Sequence, residues 1–303
     1  MIWLVGYKGM LGTELCNVLK NEKLEFIGTE IEVDITDYNI LNDFITAQKG
    51  KNVNFSCIIN CAAYTNVDKA ESDKDLCYKI NVTGPENLAK IAAKNNIPLI
   101  HISTDYVFDG KASVPYTEDM EINPTGVYGT TKALGEKAIQ KQTDNYFIIR
   151  TAWLYGIYGR NFVKTMLRIF KEKGAAKVIN DQFGTPTYAN DLARALAFFA
   201  HSFESSSSSS EKPKQGIYHF TDIGNISWYD FACAINEAAF EQGLIAQKAI
   251  LTPCSTEEYP TPAPRPSYSV LSKEKIAKIL PWSIPDWHES LLNYLKEEKT
   301  AIN

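Results

Sequence analysis

The most constraining feature of this chain is a glycine-punctuated turn, Gly6-Tyr-Lys-Gly9-Met-Leu-Gly12. It lies between an apolar run of strand type, Ile2–Val5, and a helical pattern over residues 10–19. A strand that turns through glycines straight into a helix presents the free backbone amides of that helix to an anion. Gly6 allows the tight turn, Gly9 lets backbone amides approach a pyrophosphate, and Gly12 lets the helix settle against the sheet. The G-x-x-G-x-x-G spacing differs from the G-x-G-x-x-G fingerprint, but the physics is shared. A second apolar run, Phe26–Thr29, leads into Glu30, about 20 residues on, where such folds place a carboxylate on a ribose. The segment therefore predicts a dinucleotide site. Glu30 would accept hydrogen bonds from a 2′-hydroxyl and repel a 2′-phosphate, whereas Lys8 would neutralise that phosphate. NADH is favoured, with NADPH tolerated.

The rest of the first half keeps the alternation that a parallel sheet needs. Thr36 and Asp37 supply capping residues for a helix over 37–47, and Cys57–Asn60 reads as a third strand. Residues 74–95 form a long helical stretch holding Asn81 and Gly84. A fourth strand is predicted over 98–103, a helix over 129–140 and a fifth strand over 146–150. Near-continuous apolar strands in this order imply an α/β fold, a Rossmann-type doubly wound parallel sheet covered on both faces. Beyond residue 151 the pattern loosens. Helices are expected over 161–172, 190–203, 228–242 and 285–298, with short strands over 177–179 and 217–220. The division that follows is a dinucleotide-binding domain over 1–150 and a smaller C-terminal lobe over 151–303, mainly substrate-binding, with elements returning to the Rossmann core. The serine run at 205–210 reads as a flexible surface loop. Five prolines between 253 and 266 dictate an extended or turn-rich segment.

Composition narrows the classes further. Apolar residues make up 45% and charged residues 22%, as in an ordinary globular chain, which excludes a wholly disordered or fibrous one. The net charge of −5 argues against a nucleic-acid or membrane-surface partner, because both need a basic face. The apolar N-terminus stops at Gly6, too short for a signal segment, and no apolar run approaches a membrane span. A cytoplasmic protein with reduced, mostly buried cysteines is expected. The Cys57/Cys61 spacing has no companion pair and predicts no zinc site.

The chemistry centres on Tyr128-Gly-Thr-Thr-Lys132. Of sixteen tyrosines, Tyr128 alone has a lysine four residues on. On a helix that spacing puts both side chains on one face. An ammonium beside the phenol would lower its pKa and fit it to exchange a proton with an oxygen near neutral pH. His101-Ile-Ser-Thr104-Asp105-Tyr106 ends the fourth strand, and the carboxyl ends of strands line the ligand crevice of such sheets. A hydroxyl there, from Thr104 or Ser103, would bond a carbonyl oxygen and hold developing charge.

These segments together resemble the extended short-chain dehydrogenases, and within them the dTDP-4-dehydrorhamnose reductase family. The resemblance is carried by residues 60–71, by Ser103-Thr-Asp-Tyr-Val-Phe-Asp-Gly110 and by Tyr128-Gly-Thr-Thr-Lys-Ala-Leu-Gly-Glu136. Arg150-Thr-Ala-Trp-Leu-Tyr155, Asp181-Gln-Phe-Gly-Thr-Pro-Thr187 and Arg265-Pro-Ser-Tyr-Ser-Val-Leu271 extend it. It implies reduction of the C4 ketone of a dTDP-linked 4-keto sugar to dTDP-L-rhamnose. On that pattern Tyr128 donates the proton, Lys132 holds the nicotinamide ribose and tunes Tyr128, and Thr104 orients the keto oxygen. Gly6, Gly9, Met10, Leu11, Gly12, Glu30, Asp34, Ile35, Ala62, Ala63 and Tyr64 would hold the cofactor. Asp105 and Trp153 would contact the sugar, and Gln182 and Arg265 the nucleotide diphosphate, for which a guanidinium is suited. Some members of the family use magnesium at a subunit interface. No carboxylate cluster here calls for a metal, so none is assigned, and a homodimer is left open. A reductase of another nucleotide-linked 4-keto-6-deoxy sugar would share these catalytic residues. A non-catalytic regulatory subunit of the methionine adenosyltransferase type would share the fold and much of the pattern, but intact Tyr128, Lys132 and Thr104 argue for chemistry.

Overall fold

In a computed structural model, which describes residues 1–203 and 213–302, the first half follows the predicted alternation. The serine run at 205–210 lies outside the described residues. The elements are β1 (Ile2–Val5), α1 (Met10–Asn21), β2 (Phe26–Thr29), α2 (Tyr38–Gly50), β3 (Cys57–Asn60), α3 (Val67–Ala70), α4 (Lys74–Tyr78), α5 (Gly84–Asn95), β4 (Leu99–Thr104), α6 (Val127–Gln142) and β5 (Tyr146–Thr151). The second half adds β6 (Leu154–Tyr155), α7 (Phe162–Lys173), β7 (Ala175–Ile179), β8 (Phe183–Gly184), β9 (Thr187–Tyr188), α8 (Ala189–His201) and β10 (Gly216–His219). After these come β11 (Ile226–Ser227), α9 (Trp228–Glu241), β12 (Ile250–Cys254), α10 (Glu274–Ala277) and α11 (Trp287–Ile302). Among the described residues, no helix is long and apolar enough to cross a membrane.

The local chemistry explains several boundaries. Asp37 caps α2, its carboxylate accepting from the amides of Asn39 and Ile40. Ser227 and Asp230 form a reciprocal capping box that starts α9. The predicted stretch over 74–95 is one run of helix, but its middle, Lys79–Thr83, widens into a π turn. That turn carries Asn81, whose side chain points out of the helix to bond the loop after β3. β2 ends at Thr29, so Glu30 stands just beyond the strand and not within it.

Six strands form one sheet in the order β10-β5-β4-β3-β1-β2, and every pairing in it is parallel. Strand order reverses between β1 and β3, which opens the crevice where α/β sheets receive ligands. Register sets the relief along that edge. Val5 aligns with Thr29 and with Asn60, and Asn60 aligns with His101. β4 then runs three residues further, pairing Thr104 with Thr151 of β5. Ser103 and Thr104 therefore stand on a crest above the glycine turn.

Two of the cores show how the later residues are used. One joins α1 and α8 against the sheet, with Leu15, Leu19, Leu192, Leu196 and Phe199 fully buried. The other is built between Trp153 and Leu295, around Tyr155, Phe231 and Tyr294. α8 and β10 thus return to the first half, while α7, α9 and α11 pack together beside the crest.

Candidate functional site

The glycine turn is as tight as its spacing suggests. Gly6 has φ of +77°, and a Cβ there would come within 2.7 Å of the Ala62 nitrogen. A Cβ on Gly12 would meet the Gly6 carbonyl oxygen at 2.1 Å, so α1 can ride on the turn only with hydrogen at that position. Beside the turn lies a cleft of about 390 Å³ lined by Gly6, Gly9, Glu30, Asp34, Ile35, Ala62 and Ala63. Glu30 is fixed at its lip, where one carboxylate oxygen accepts the backbone N–H of Lys8 at 2.6 Å. The cradle fits a dinucleotide: bare backbone at the turn for a pyrophosphate, and a carboxylate at the strand end for a diol. Tyr64 is not on the wall of this cleft, but Asn81 bonds both its N–H and its C=O and so sets the loop that carries Ala62 and Ala63.

A second cleft of about 440 Å³ adjoins the first through Gly9, Cys61 and Ala63. Its walls include Met10, Leu11 and Gly12 from the turn, Ser103, Thr104 and Asp105 from the crest, Tyr128 and Lys132 from α6, and Trp153. Residues far apart in sequence thus meet at one opening. α6 reaches it by close approach, since a Cβ on Gly129 would strike the Tyr106 carbonyl oxygen at 2.2 Å. Its first turn is held by Glu71, whose carboxylate accepts the Val127 N–H at 2.8 Å. Its later turn is pinned to β5 by a buried, two-pronged pair, Arg150 with Glu136 at 2.6 and 2.9 Å.

Electrostatics in the second cleft differ from the expectation for Tyr128. Burial pushes its phenol above the usual range, with the Thr104 hydroxyl partly offsetting and Asp105 and Cys77 adding to the rise. Lys132 does not depress it in this arrangement, because its amine points elsewhere. Nζ donates to the Ile102 carbonyl at 2.6 Å and lies 3.2 Å from Nε2 of His101. Burial pulls the Lys132 amine down to about 8, with Glu136, Cys77 and Cys61 opposing. Thr104 donates its hydroxyl to Asp105 at 2.8 Å. Burial lifts the Asp105 carboxyl to about 6, against the hydrogen bond from Thr104. Its other oxygen has no hydrogen-bond partner.

Trp153 faces the same cleft in a strained backbone, with φ of +46°. It stacks on Trp228 at 3.5 Å between centroids and 9° between planes, over Gly184. Arg265 is on neither cleft wall, and its side chain is 19% exposed. One guanidinium nitrogen donates to Asp68 at 2.9 Å, and the other, Nη1, is buried without a partner. Gln182 is not on either cleft wall; it is buried and donates to Thr256 at 3.0 Å. Arg160, Thr65 and Ile102 line the second cleft and Ile31 and Lys79 the first, none of them singled out by the sequence. Among the described residues, no group of three or more His, Cys, Asp or Glu side chains is placed to hold a metal ion.

A doubly wound sheet with a glycine cradle at its switch point, and a Tyr-x-x-x-Lys helix facing the strand ends, defines a Rossmann-type nucleotide-dependent protein of the short-chain dehydrogenase architecture. Within that class the chain belongs to the family described as RmlD substrate binding domain, whose model matches residues 1–300. It is 40% identical over 292 residues to a dTDP-4-dehydrorhamnose reductase of Aggregatibacter actinomycetemcomitans, covering 96% of each chain. A crystal structure of a dTDP-4-dehydrorhamnose reductase from Clostridium acetobutylicum superposes with a TM-score of 0.87 at 41% identity, covering 98% of this chain and 99% of that one. The Bacillus anthracis dTDP-4-dehydrorhamnose reductase, solved in complex with NADP, gives 0.86 at 34% identity with 98% of each chain covered.

Proposed function

We propose that this chain is an NAD(P)-dependent oxidoreductase that reduces the C4 ketone of dTDP-4-dehydro-6-deoxy-L-mannose to dTDP-L-rhamnose, with Tyr128 as proton donor. The observation that carries this reading is the shared wall of the second cleft, where Gly9–Gly12 of the cofactor turn meet Thr104, Tyr128 and Lys132. Full-length similarity to enzymes named for that reaction supports the substrate.

A nicotinamide held along these two clefts would supply the hydride that the carbonyl carbon accepts. Gly6, Gly9, Met10, Leu11 and Gly12 hold the pyrophosphate side, Glu30 the adenosine ribose, and Asp34 and Ile35 the adenine side. Ala62 and Ala63 continue the wall toward the reacting end, on a loop that Tyr64 ties to Asn81. Tyr128, kept protonated by its buried surroundings, gives its proton to the ketone oxygen as that oxygen gains electrons. Thr104 orients the oxygen by turning its hydroxyl from Asp105 to the substrate. Asp105, through its unpartnered oxygen, and Trp153 hold the sugar. Arg265, with Nη1 free of any partner, takes a diphosphate oxygen. Gln182 acts on the nucleotide only through Thr256. Glu30 makes NADH the better cofactor, with NADPH accepted.

The test is loss of reduced-nicotinamide absorbance on adding enzymatically prepared dTDP-4-dehydro-6-deoxy-L-mannose, with the product identified by mass and NMR. Stoichiometric formation of dTDP-L-rhamnose is expected. Cofactor binding without turnover of this sugar would overturn the substrate assignment, and silence with every nucleotide ketosugar would point to a non-catalytic subunit.

A further inference from the structure

Trp153 is held in a conformation that a bulky residue does not favour. Among the described residues, four non-glycine residues have positive φ. Three of them, Lys23, Asn52 and Asn96, follow the helices α1, α2 and α5, where a left-handed residue commonly ends a helix. Trp153, at φ +46°, stands between β5 and β6 instead. A large side chain there is strained, and such strain persists only where the surroundings over-determine it. The backbone is pinned to β9: the Thr187 N–H donates to the Trp153 carbonyl at 3.2 Å, and the Thr187 hydroxyl donates to the Ala152 carbonyl at 2.6 Å. These bonds fix where Cβ points, but the indole still has two side-chain torsions to settle. Two further contacts remove that freedom. Trp228, the first residue of α9, lies face to face with it at 3.5 Å between centroids, closer than the offset pairing aromatic rings ordinarily take. Trp228 is itself backed by Phe162 of α7 at 4.6 Å and held by the capping box of Ser227 and Asp230. Gly184 of β8 makes the second contact, since a Cβ there would come within 2.5 Å of Trp153 Cε2 and 2.7 Å of its Nε1. Gly184 has no positive φ, so the nearby indole, and not the backbone, requires the missing side chain. β8 pairs with β11 and sets Gly184 opposite Ile226, two residues before Trp228, so one small ribbon supplies both contacts.

We infer that Trp228 and Gly184 are positioning residues that fix the Trp153 indole as a rigid wall of the sugar site. The inference rests on the reading of Trp153 as a sugar contact. Of the five tryptophans, only Trp153 lines either cleft. Trp228 lines neither, so it acts on the substrate only through the ring it stacks against. A wall already held in place spares the arriving sugar the ordering of a large side chain. An indole has no proton to exchange with the ketone, and its apolar face holds the sugar alike before and during hydride transfer. Loosening it therefore weakens binding of the sugar, seen in KM, and leaves the chemical step, seen in kcat, nearly as it was. The cofactor turn, which neither Trp228 nor Gly184 touches, keeps its affinity.

The experiment is a double-mutant cycle on the reduction of dTDP-4-dehydro-6-deoxy-L-mannose by NADH, with Trp228→Leu, Trp153→Ala and the two combined. Trp228→Leu should raise KM for the sugar about fivefold or more, with kcat within about threefold and the NADH dissociation constant unchanged. In the Trp153→Ala background the same replacement should move KM by less than about twofold, because no indole remains to be positioned. Trp228→Phe keeps a ring in place and should recover most of the loss. Gly184→Ala reaches the indole from another strand while leaving Trp228 intact. It should also raise the sugar KM, and it carries the test if Trp228→Leu does not fold. A Trp228→Leu enzyme that melts lower but keeps the wild-type sugar KM would make Trp228 a core residue alone and overturn the inference. Equal KM effects of Trp228→Leu with and without Trp153, or a wild-type KM in Gly184→Ala, would overturn it as well. A wild-type KM in Trp153→Ala would remove the sugar contact itself and the inference with it, while continued turnover of this sugar would leave the reductase reading standing.

Discussion

Replacing Gly12 by alanine pits two magnitudes against each other. Gly12 lies inside α1, and exchanging a helical glycine for alanine ordinarily stabilises by about 1 kcal/mol. Here the new Cβ would lie 2.1 Å from the Gly6 carbonyl oxygen and 2.7 Å from Tyr7 Cα. Ordinary contact begins near 3.4 Å, so the turn and helix must separate by 3.4 − 2.1 = 1.3 Å. Both obstacles are backbone, which has no rotamer to escape into, so the overpacking penalty falls at the upper end of about 1–3 kcal/mol. A net loss of about 2 kcal/mol would lower the melting temperature by about 4 °C. The functional effect is larger. Moving the turn by more than 1 Å misaims the amides that meet the pyrophosphate, and each charge-assisted bond is worth about 1.5–3 kcal/mol. NADH affinity should fall at least about tenfold, read by quenching of tryptophan fluorescence in a folded sample. Gly50 is the control: it ends α2 with nothing within 4 Å of its Cβ position, so Gly50→Ala should be neutral or slightly stabilising. If Gly12→Ala bound NADH as tightly as wild type and melted no lower, the close-approach account of the turn would be wrong.

Three further outcomes follow from other parts of the site. Glu30→Ala removes the carboxylate at the cleft lip, so the ratio of kcat/KM for NADH over NADPH should fall about tenfold or more, and an unmoved ratio would refute its role. Asp105 has its folded pKa raised to about 6 from the usual 3.8, so the folded protein binds more protons than the unfolded chain between those values, and stability falls as pH rises through that window. Asp105→Asn should therefore stabilise by up to about 3 kcal/mol at neutral pH, with the difference closing below the lower value, as denaturant titrations at several pH values would read. Glu136→Ala strands the buried Arg150 guanidinium and should destabilise by about 3–5 kcal/mol, seen as a lowered denaturation midpoint.

What the sequence disclosed was mostly short-range. The turn with the strand that precedes it, and the Tyr128–Lys132 spacing, each span only a few residues of sequence, so periodicity and steric rules reach them. The crest at Ser103 and Thr104 was also legible, because an apolar strand ending in polar residues marks its own carboxyl end. The contacts that tune the chemistry were not, since they join residues brought together only by the sheet. Glu71 capping α6, Asn81 bonding the Tyr64 loop and Asn60 set beside His101 depend on register and packing between elements. The expectation that Lys132 would lower the Tyr128 pKa failed for that reason. Helical spacing puts both on one face, but the neighbouring strand claims the amine first. Gln182 was placed at the nucleotide by resemblance alone, and its burial against Thr256 was beyond any local signal.

The central claim is that the Tyr128 hydroxyl delivers the proton that completes ketone reduction. Tyr128→Phe removes that oxygen while keeping the ring that meets Tyr106 edge-on at 5.5 Å. The decisive measurement is single-turnover oxidation of bound NADH with dTDP-4-dehydro-6-deoxy-L-mannose, alongside the NADH dissociation constant. The account predicts cofactor binding within about twofold of wild type and a rate lower by about 10²–10⁴-fold. A Tyr128→Phe protein that binds NADH normally and reduces the sugar at the wild-type rate would contradict it.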